Sequence, residues 1–406
     1  MTTTAPDPTT TESAAPTAHL GWAVLALAMG GFAIGTTEFV SMGLLPDLAA
    51  GVSVSIPAAG HAISAYALGV VVGAPAIALL GARLPRRALL VALMAAFALG
   101  NAASALISSY EGLLVARFLA GLPHGAYFGV ASLVAASLAR PGLQGRAVAQ
   151  VMLGLSVANV VGVPAATWLG QLLGWRSAYW LVAVLGVATI ALVVAFVPSR
   201  TGDPHATWRR EISALGRAQV LLTLLAGAIG FGGMFAVYTY IVPTVTEVGG
   251  LSKSVAPVFL LAFGLGMVAG TWVAGELARW SVFGSLFVGG VGQGVLLLAF
   301  SWLAPTGWWN LPVVFGITVL GSILVINLQL RLMDVAGDAQ TIGAAMNHAS
   351  LNIANALGAW LGGLVVAAGW GFRAPGVVGA GLAVVGVFVL LASWGLHRRT
   401  TATQAA

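Results

Sequence analysis

Twelve long apolar runs recur along this chain, at 20–45, 58–81, 88–109, 112–138, 146–171, 176–197, 219–243, 255–277, 282–303, 310–332, 341–367 and 374–396. About 20 apolar residues in a helix cross the hydrocarbon of a bilayer, and a segment in lipid must satisfy its backbone polar groups internally. Each run therefore predicts one spanning α-helix. Composition agrees, because 7% charged residues cannot cover a water-facing surface, for which soluble domains use about 25%. The expected fold class is an all-α membrane protein of twelve transmembrane helices.

The longest gap between runs, Pro198–Ala218, is polar and charged and divides the spans six and six. The expected organisation is a disordered tail (1–19), a six-helix half (20–197), a cytoplasmic linker (198–218), a second six-helix half (219–396) and a short cytoplasmic tail (397–406). The first tail is rich in Thr, Ala and Pro and lacks the basic start of a secretory signal, so the first apolar run is expected to stay as a span. With the N-terminus inside, thirteen cations fall on the inner side, against Arg176, Lys253 and Arg373 outside. The positive-inside rule then puts both termini in the cytoplasm of a multi-pass plasma-membrane protein. The halves also resemble each other. "ANVVG" (Ala158–Gly162) recurs 196 residues later as "ANALG" (Ala354–Gly358), and each is followed by a Gly-Trp pair, Gly174-Trp175 and Gly369-Trp370. Two pseudo-symmetric six-span repeats suit a rocking secondary transporter with its site between the halves.

Glu38 is the one charged residue between Leu20 and Leu45. At a helical rise of about 1.5 Å per residue it lies about 10 Å below the outer end of its span, and Arg117 in the fourth span lies about 9 Å deep. Ionisable groups at such depth face a partner or a cavity, since exposure to lipid is costly. Two readings are open: a structural ion pair, or a titratable carboxylate whose proton is exchanged against a solute. Burial favours the neutral form of a carboxylate and a nearby cation the ionised form, an opposition that a site alternately wet and dry can use. Further candidates for the cavity are His124 and Tyr127 in the fourth span, Phe231, Phe235 and Tyr238 in the seventh, and Asn327 and Gln329 in the tenth. Phe231, Phe235 and Tyr238 repeat at helical spacing, as one wall for an aromatic or amphiphilic solute would. His348, Asn101, Asn159, Asn347, Asn352 and Asn355 are further polar residues inside spans. Gly121, Gly125 and Gly129, four residues apart, predict a face that a neighbouring helix approaches closely.

Several classes are excluded. No phosphate loop of the form G-x-x-x-x-G-K-[ST] exists, because the single lysine, Lys253, sits in "GGLSKS". There is no metal-ligand spacing, no Gly-x-Ser-x-Gly nucleophile elbow and no cysteine. The arginines lie in short gaps between spans, a topology signal and no nucleic-acid footprint. No enzyme activity, cofactor, metal or nucleic-acid partner is expected. The expected partners are a small solute, protons and lipid, and the expected state is a monomer.

"TTEFVSMGLLPD" (Thr36–Asp47), "SIPAAGHAISAYALGVVVGAP" (Ser55–Pro75) and "GLPHGAYFGV" (Gly121–Val130) together resemble the major facilitator superfamily, in its twelve-span drug:proton antiporter branch. The nearest likeness is to arabinose-efflux and chloramphenicol-resistance permeases. Between spans two and three, "ALLGARLPRR" (Ala78–Arg87) keeps Arg83, Arg86 and Arg87 of the superfamily motif, while Ala78, Ala82 and Pro85 stand where glycine, aspartate and glycine are usual. The gating ion pair of that aspartate is therefore missing. Arg117 and Gly121 match the family's R-x-x-x-G, whose arginine the resemblance implies in proton coupling. "GLSVANVVGVPAAT" (Gly154–Thr167) resembles the antiporter motif, in which Gly154, Gly162 and Pro164 would seal against ion leak. The resemblance also implies that spans one, four, seven and ten line the cavity. The expected function is proton-coupled export of a small organic solute, a drug or a sugar, by alternating access. A solute:proton symporter for sugar uptake and a non-transporting membrane subunit or sensor are the alternatives.

Overall fold

A computed structural model describes residues 17–81, 83–140, 143–199, 217–336 and 340–405. Most of the expected linker, with Arg200, Arg209 and Arg210, and the first sixteen residues of the expected tail lie outside the described residues. The long helices are α1 (Thr17–Gly43), α2 (Ile56–Gly81), α3 (Arg86–Leu106), α4 (Tyr110–Leu138), α5 (Gln144–Leu173) and α6 (Arg176–Phe196). They continue as α7 (Ala218–Thr239), α8 (Ala256–Trp280), α9 (Val282–Leu303), α10 (Asn310–Ala336), α11 (Gln340–Val365) and α12 (Ala374–Ala405). By length and hydropathy alone, Val282–Val335 is a single stretch of 54 residues. A 3-10 turn at Ala304–Trp309, with Gly307 at φ 61°, breaks it into α9 and α10. The first and last helices run past their apolar runs: α1 begins at Thr17, and α12 continues to Ala405 without a Gly or Pro to stop it after Gly395.

The outer face of the bundle is apolar: Leu99, Val184, Val187 and Leu265 are exposed, as lipid requires and water would penalise. Trp22, Trp280, Trp302, Trp309 and Trp370 are exposed near helix ends, where indole bridges hydrocarbon and headgroups.

Glycines decide how closely the helices approach. On α4, a Cβ at Gly121 would meet the Tyr66 carbonyl of α2, and one at Gly125 would meet Ala74, whereas a Cβ at Gly129 would meet nothing. The close face is thus two glycines long. Along α5, Gly154 lies against the Ala28 carbonyl of α1, and Gly162 against Thr36. Shifting each number by 196 reproduces both contacts in the second half: Ser350 donates to the Leu224 carbonyl at 2.7 Å, and Gly358 lies against Gly232. Internal repetition is therefore visible as packing as well as sequence. The repeated Gly-Trp pairs also have a backbone reason, since Gly174 and Gly369 end their helices at φ 89° and 85°, a region that side chains with a Cβ avoid.

Pro164 has no N–H to give the helix, and the five residues Ala158–Gly162 just before it form a π-helical turn. At that turn the other half arrives, with Gly264 of α8 against the Asn159 carbonyl. Other links between the halves include Ser64 donating to the Ala356 carbonyl at 3.0 Å, Gln171 to the Lys253 carbonyl at 2.8 Å, the ion pair of Lys253 with Asp47 at 3.7 Å, and the Tyr240 hydroxyl packed on Gly60. The last three lie at the end of the bundle away from the chain termini.

Replacing Gly125 by leucine should lower thermal stability by about 1–3 kcal/mol through overpacking and cut membrane yield, whereas Gly129→Leu should be tolerated. Unfolding curves of the two purified variants in detergent test this, and equal losses would contradict the two-glycine contact.

Candidate functional site

Arg117 is 1% exposed, so the protein must replace its water. Its guanidinium donates through Nη1 to Thr37 Oγ1 at 3.1 Å and Asn101 Oδ1 at 3.4 Å, and through Nη2 to the Thr37 carbonyl at 3.2 Å. Thr37 Oγ1 in turn donates to Asn101 Oδ1 at 2.5 Å, and the Asn101 amide nitrogen is held by the Phe97 carbonyl at 2.8 Å. The rings of Tyr66 and Tyr179 lie 4.4 and 5.1 Å from the guanidinium carbon, a cation–π arrangement that gains strength where water is excluded. Tyr179 is positioned by a 2.8 Å hydrogen bond to Ser41. Residues of α1, α2, α3 and α6 thus surround one cation of α4.

Glu38 follows Thr37 on α1, so the depths expected from helical rise coincide in space. The direct ion pair does not form: the ion pairs of the described residues include Lys253–Asp47, Arg279–Glu276 and Arg331–Asp334, and none joins Glu38 to Arg117. Glu38 is instead 8% exposed at the junction of the halves. The Asn355 side chain of α11 flanks the carboxylate, but by distance and angle neither amide atom of Asn355 completes a hydrogen bond. Arg117, Tyr66 and Tyr238 lie within its electrostatic reach, and the buried Tyr238 hydroxyl also has no partner.

The remaining candidates fall into separate places. Phe235 and Tyr238 pack with Phe39 of α1 and Phe263 of α8, with Tyr238 and Phe263 stacked at 3.7 Å and Phe39 parallel to Phe235 at 6.3 Å. Phe231 meets Phe235 edge-on at 5.4 Å. These aromatics close the junction beside Glu38, next to a small apolar cavity lined by Met234, Tyr238, Phe263 and Ile317. His124 shares a 3.1 Å hydrogen bond with the Tyr66 hydroxyl, and Phe128 lies between it and His348, linking α4 to α11. Tyr127 points away from this junction and donates to the Leu27 carbonyl at 2.9 Å, joining α4 to α1. Asn327 spends its amide on the Ile323 carbonyl at 2.9 Å, and Gln329 accepts from Asn347 at 3.3 Å. Arg83 is exposed and Arg86 half-buried, while Arg87 donates to the Val194 carbonyl of α6, so this group sits at the terminus-bearing end, away from Glu38. Gly121, Gly154 and Gly162 are helix contacts, and Pro164 follows the π-turn of α5.

Sequence reasoning missed Thr37, Phe39, Tyr66, Tyr179 and Phe263. A tyrosine in mid-span, such as Tyr66, signals a polar partner, because its hydroxyl cannot be left in hydrocarbon. The other four carry no comparable signal.

The sequence model of the Major Facilitator Superfamily matches residues 27–350. The chain belongs to that superfamily. It is 42% identical over 375 residues to the inner membrane transport protein YdhP of Escherichia coli (strain K12), covering 91% of this chain and 96% of that one. It is 36% identical over 336 residues to a chloramphenicol resistance protein of Streptomyces lividans, covering 82% and 86%. In architecture it is similar to a bacterial homologue of the human lysosomal transporter Spinster, described as inward-facing and unoccupied, with a TM-score of 0.72 at 15% identity over 93% and 98% of the chains. The relatives agree with the drug:proton antiporter likeness of the motifs. This superfamily member is a multi-pass membrane transporter and not an enzyme, and its halves carry the superfamily fold.

Asn101→Leu removes the acceptor shared by Thr37 and Arg117. A loss of about 1–3 kcal/mol is expected for the donors left unpaired, read as a lowered unfolding midpoint of the purified protein. An unchanged midpoint would mean that Arg117 does not depend on this amide.

Proposed function

We propose that this transporter exports a small organic solute across the plasma membrane in exchange for protons, with Glu38 as the proton carrier and Arg117 tuning it. The observation that carries this reading is the state of Glu38: a nearly buried carboxylate between the two halves, close to a cation yet joined to it by no ion pair. A carboxylate fixed in a structural ion pair has little freedom to titrate. One flanked by an unbonded amide of the opposite half can gain and lose its proton as the halves separate.

Rocking of the halves moves Asn355 and Tyr238 relative to Glu38, because these residues belong to α11 and α7 and the carboxylate to α1. The carboxylate then alternates between a dry junction, which favours the protonated form, and a wet one beside Arg117, which favours the ionised form. Competition between proton and solute for that junction makes the exchange obligatory. Thirteen inner cations against three support cytoplasmic termini. With that orientation the contacts at Asp47–Lys253, Gln171 and Tyr240 join the halves on the outer side. The name of the Streptomyces lividans relative supports export of a drug-like solute.

Glu38→Gln keeps size and hydrogen bonding and removes titration. In reconstituted vesicles it should abolish the response of solute export to an imposed pH gradient while equilibrium binding persists. Undiminished gradient-driven accumulation would return Glu38 to a structural role. Arg117→Ala should lose uphill export and keep some downhill exchange, measured in the same vesicles with and without the gradient. Uphill export equal to that of the wild type would assign Arg117 to packing.

A further inference from the structure

Counting the charges at the junction shows which solutes it can accept. Among the described residues the buried ionic side chains are Glu38, Arg117 and Arg331, and Arg331 is engaged by Asp334 at 2.6 Å, far along α10. Arg117 meets no carboxylate at ion-pair distance, being held by Thr37, Asn101 and the faces of two tyrosines, all neutral. The junction is therefore neutral when Glu38 is ionised and carries one positive charge when Glu38 is protonated. It is negative in neither state. The histidines nearby, His124 and His348, can only add positive charge, and the phenols of Tyr66 and Tyr238 are neutral. An organic cation that settles beside Glu38 must share its one counter-charge with Arg117. In a medium of low polarity, the repulsion between two cations a few ångström apart is several times stronger than in water.

The polar groups without partners point to the complementary chemistry. Asn355 is fully buried with its side chain turned to the Glu38 carboxylate, short of a completed hydrogen bond, and its carbonyl oxygen has no partner; the Tyr238 hydroxyl, 1% exposed as a residue, is also unpaired. Buried polar groups are normally partnered, and leaving them unpaired is costly. Tyr238 and Asn355 belong to α7 and α11 and the Glu38 carboxylate to α1, so a solute bound to all three touches both halves. Around them Phe39, Phe235 and Phe263 pack on one another and on Tyr238, so a flat ring takes a place among them only as the halves separate.

We infer that this junction selects uncharged solutes bearing amide, carbonyl or hydroxyl groups on an aromatic body, with Asn355 and Tyr238 as specificity-determining residues, and that Arg117 makes it reject organic cations. The inference deepens the function proposed above and rests on its placing the solute at the Glu38 junction. A consequence for transport is that exchange of one proton for one neutral solute moves a net positive charge, so the membrane potential drives it along with the pH difference.

The test uses two probes of one shape, 2-naphthamide and its amidinium counterpart 2-naphthamidine, in equilibrium dialysis against the full-length protein in vesicles without any gradient. The wild type should bind the amide at least tenfold more tightly than the amidinium, and Arg117→Gln should erase or invert that ratio. Asn355→Leu, which changes no charge, should weaken the amide at least fivefold and leave the amidinium unaffected; it serves also if Arg117→Gln does not accumulate. A wild type that binds the amidinium as tightly as the amide, or that binds neither, overturns the inference, as does an Asn355→Leu protein that binds the amide normally. Failure of the proton-carrier reading is seen separately: Glu38→Gln vesicles that still respond to a pH gradient would end that reading and leave the dialysis ratio as it stands.

Discussion

Placing a guanidinium in the middle of a membrane protein obliges the protein to supply what water would have supplied. The terminal nitrogens of Arg117 are solvated by the Thr37 hydroxyl and carbonyl from α1 and the Asn101 amide from α3, and its plane by tyrosine faces from α2 and α6, while its buried Nε is left without a partner. Five helices of the first half are thereby registered on one side chain, and each ligand of the cation is positioned by a further bond: Thr37 to Asn101, Asn101 to Phe97, Tyr179 to Ser41, Tyr66 to His124. Hydrogen bonds to a buried charge are among the stronger ones a protein makes. The arrangement frees Glu38, since Thr37 takes the position that a direct ion pair would have given to the carboxylate.

The two halves share a scaffold and divide the chemistry. The contact of Gly162 with Thr36 recurs as Gly358 with Gly232, and that of Gly154 with Ala28 as Ser350 with Leu224. At the duplicate of Glu38, however, the second half has Met234, and at the duplicate of Asn159 it has Asn355, whose amide is unpaired. The first half thus carries the charges, and the second meets them with aromatic rings and an amide. Phe39, next to Glu38 on α1, packs into the rings of α7 and α8. Any rotation of α1 that moves the carboxylate therefore also loosens this contact between the halves.

Much of this was legible in the chain. The run at 282–303 coincides with α9, and that at 176–197 with α6 to one residue. The depths of Glu38 and Arg117 follow from helical rise, and the repeat at Ala158 and Ala354 announces the duplication. The glycine spacing on α4 was legible as a close contact, but its length was not: Gly129 repeats the spacing, yet a Cβ there would meet nothing. The same limit applies at the site. Tyr127 and His124 are three residues apart, yet one joins α1 and the other the Tyr66–His348 chain.

Local physics explains both outcomes. Apolar length, helical rise, the placement of arginines and the positions of Gly and Pro are properties of single segments, so the sequence by itself determined twelve spanning helices, the duplicated plan and the two intramembrane charges. Which neighbours those charges meet depends on how each helix is rotated about its axis and where it crosses the next. In lipid, a helix can be apolar all round, so its pattern does not mark an inner face as it would in water. Only the tertiary structure decided that Thr37, Asn101, Tyr66 and Tyr179 hold Arg117, that Glu38 is left without an ion pair, and that Asn355 of the other half stands beside it.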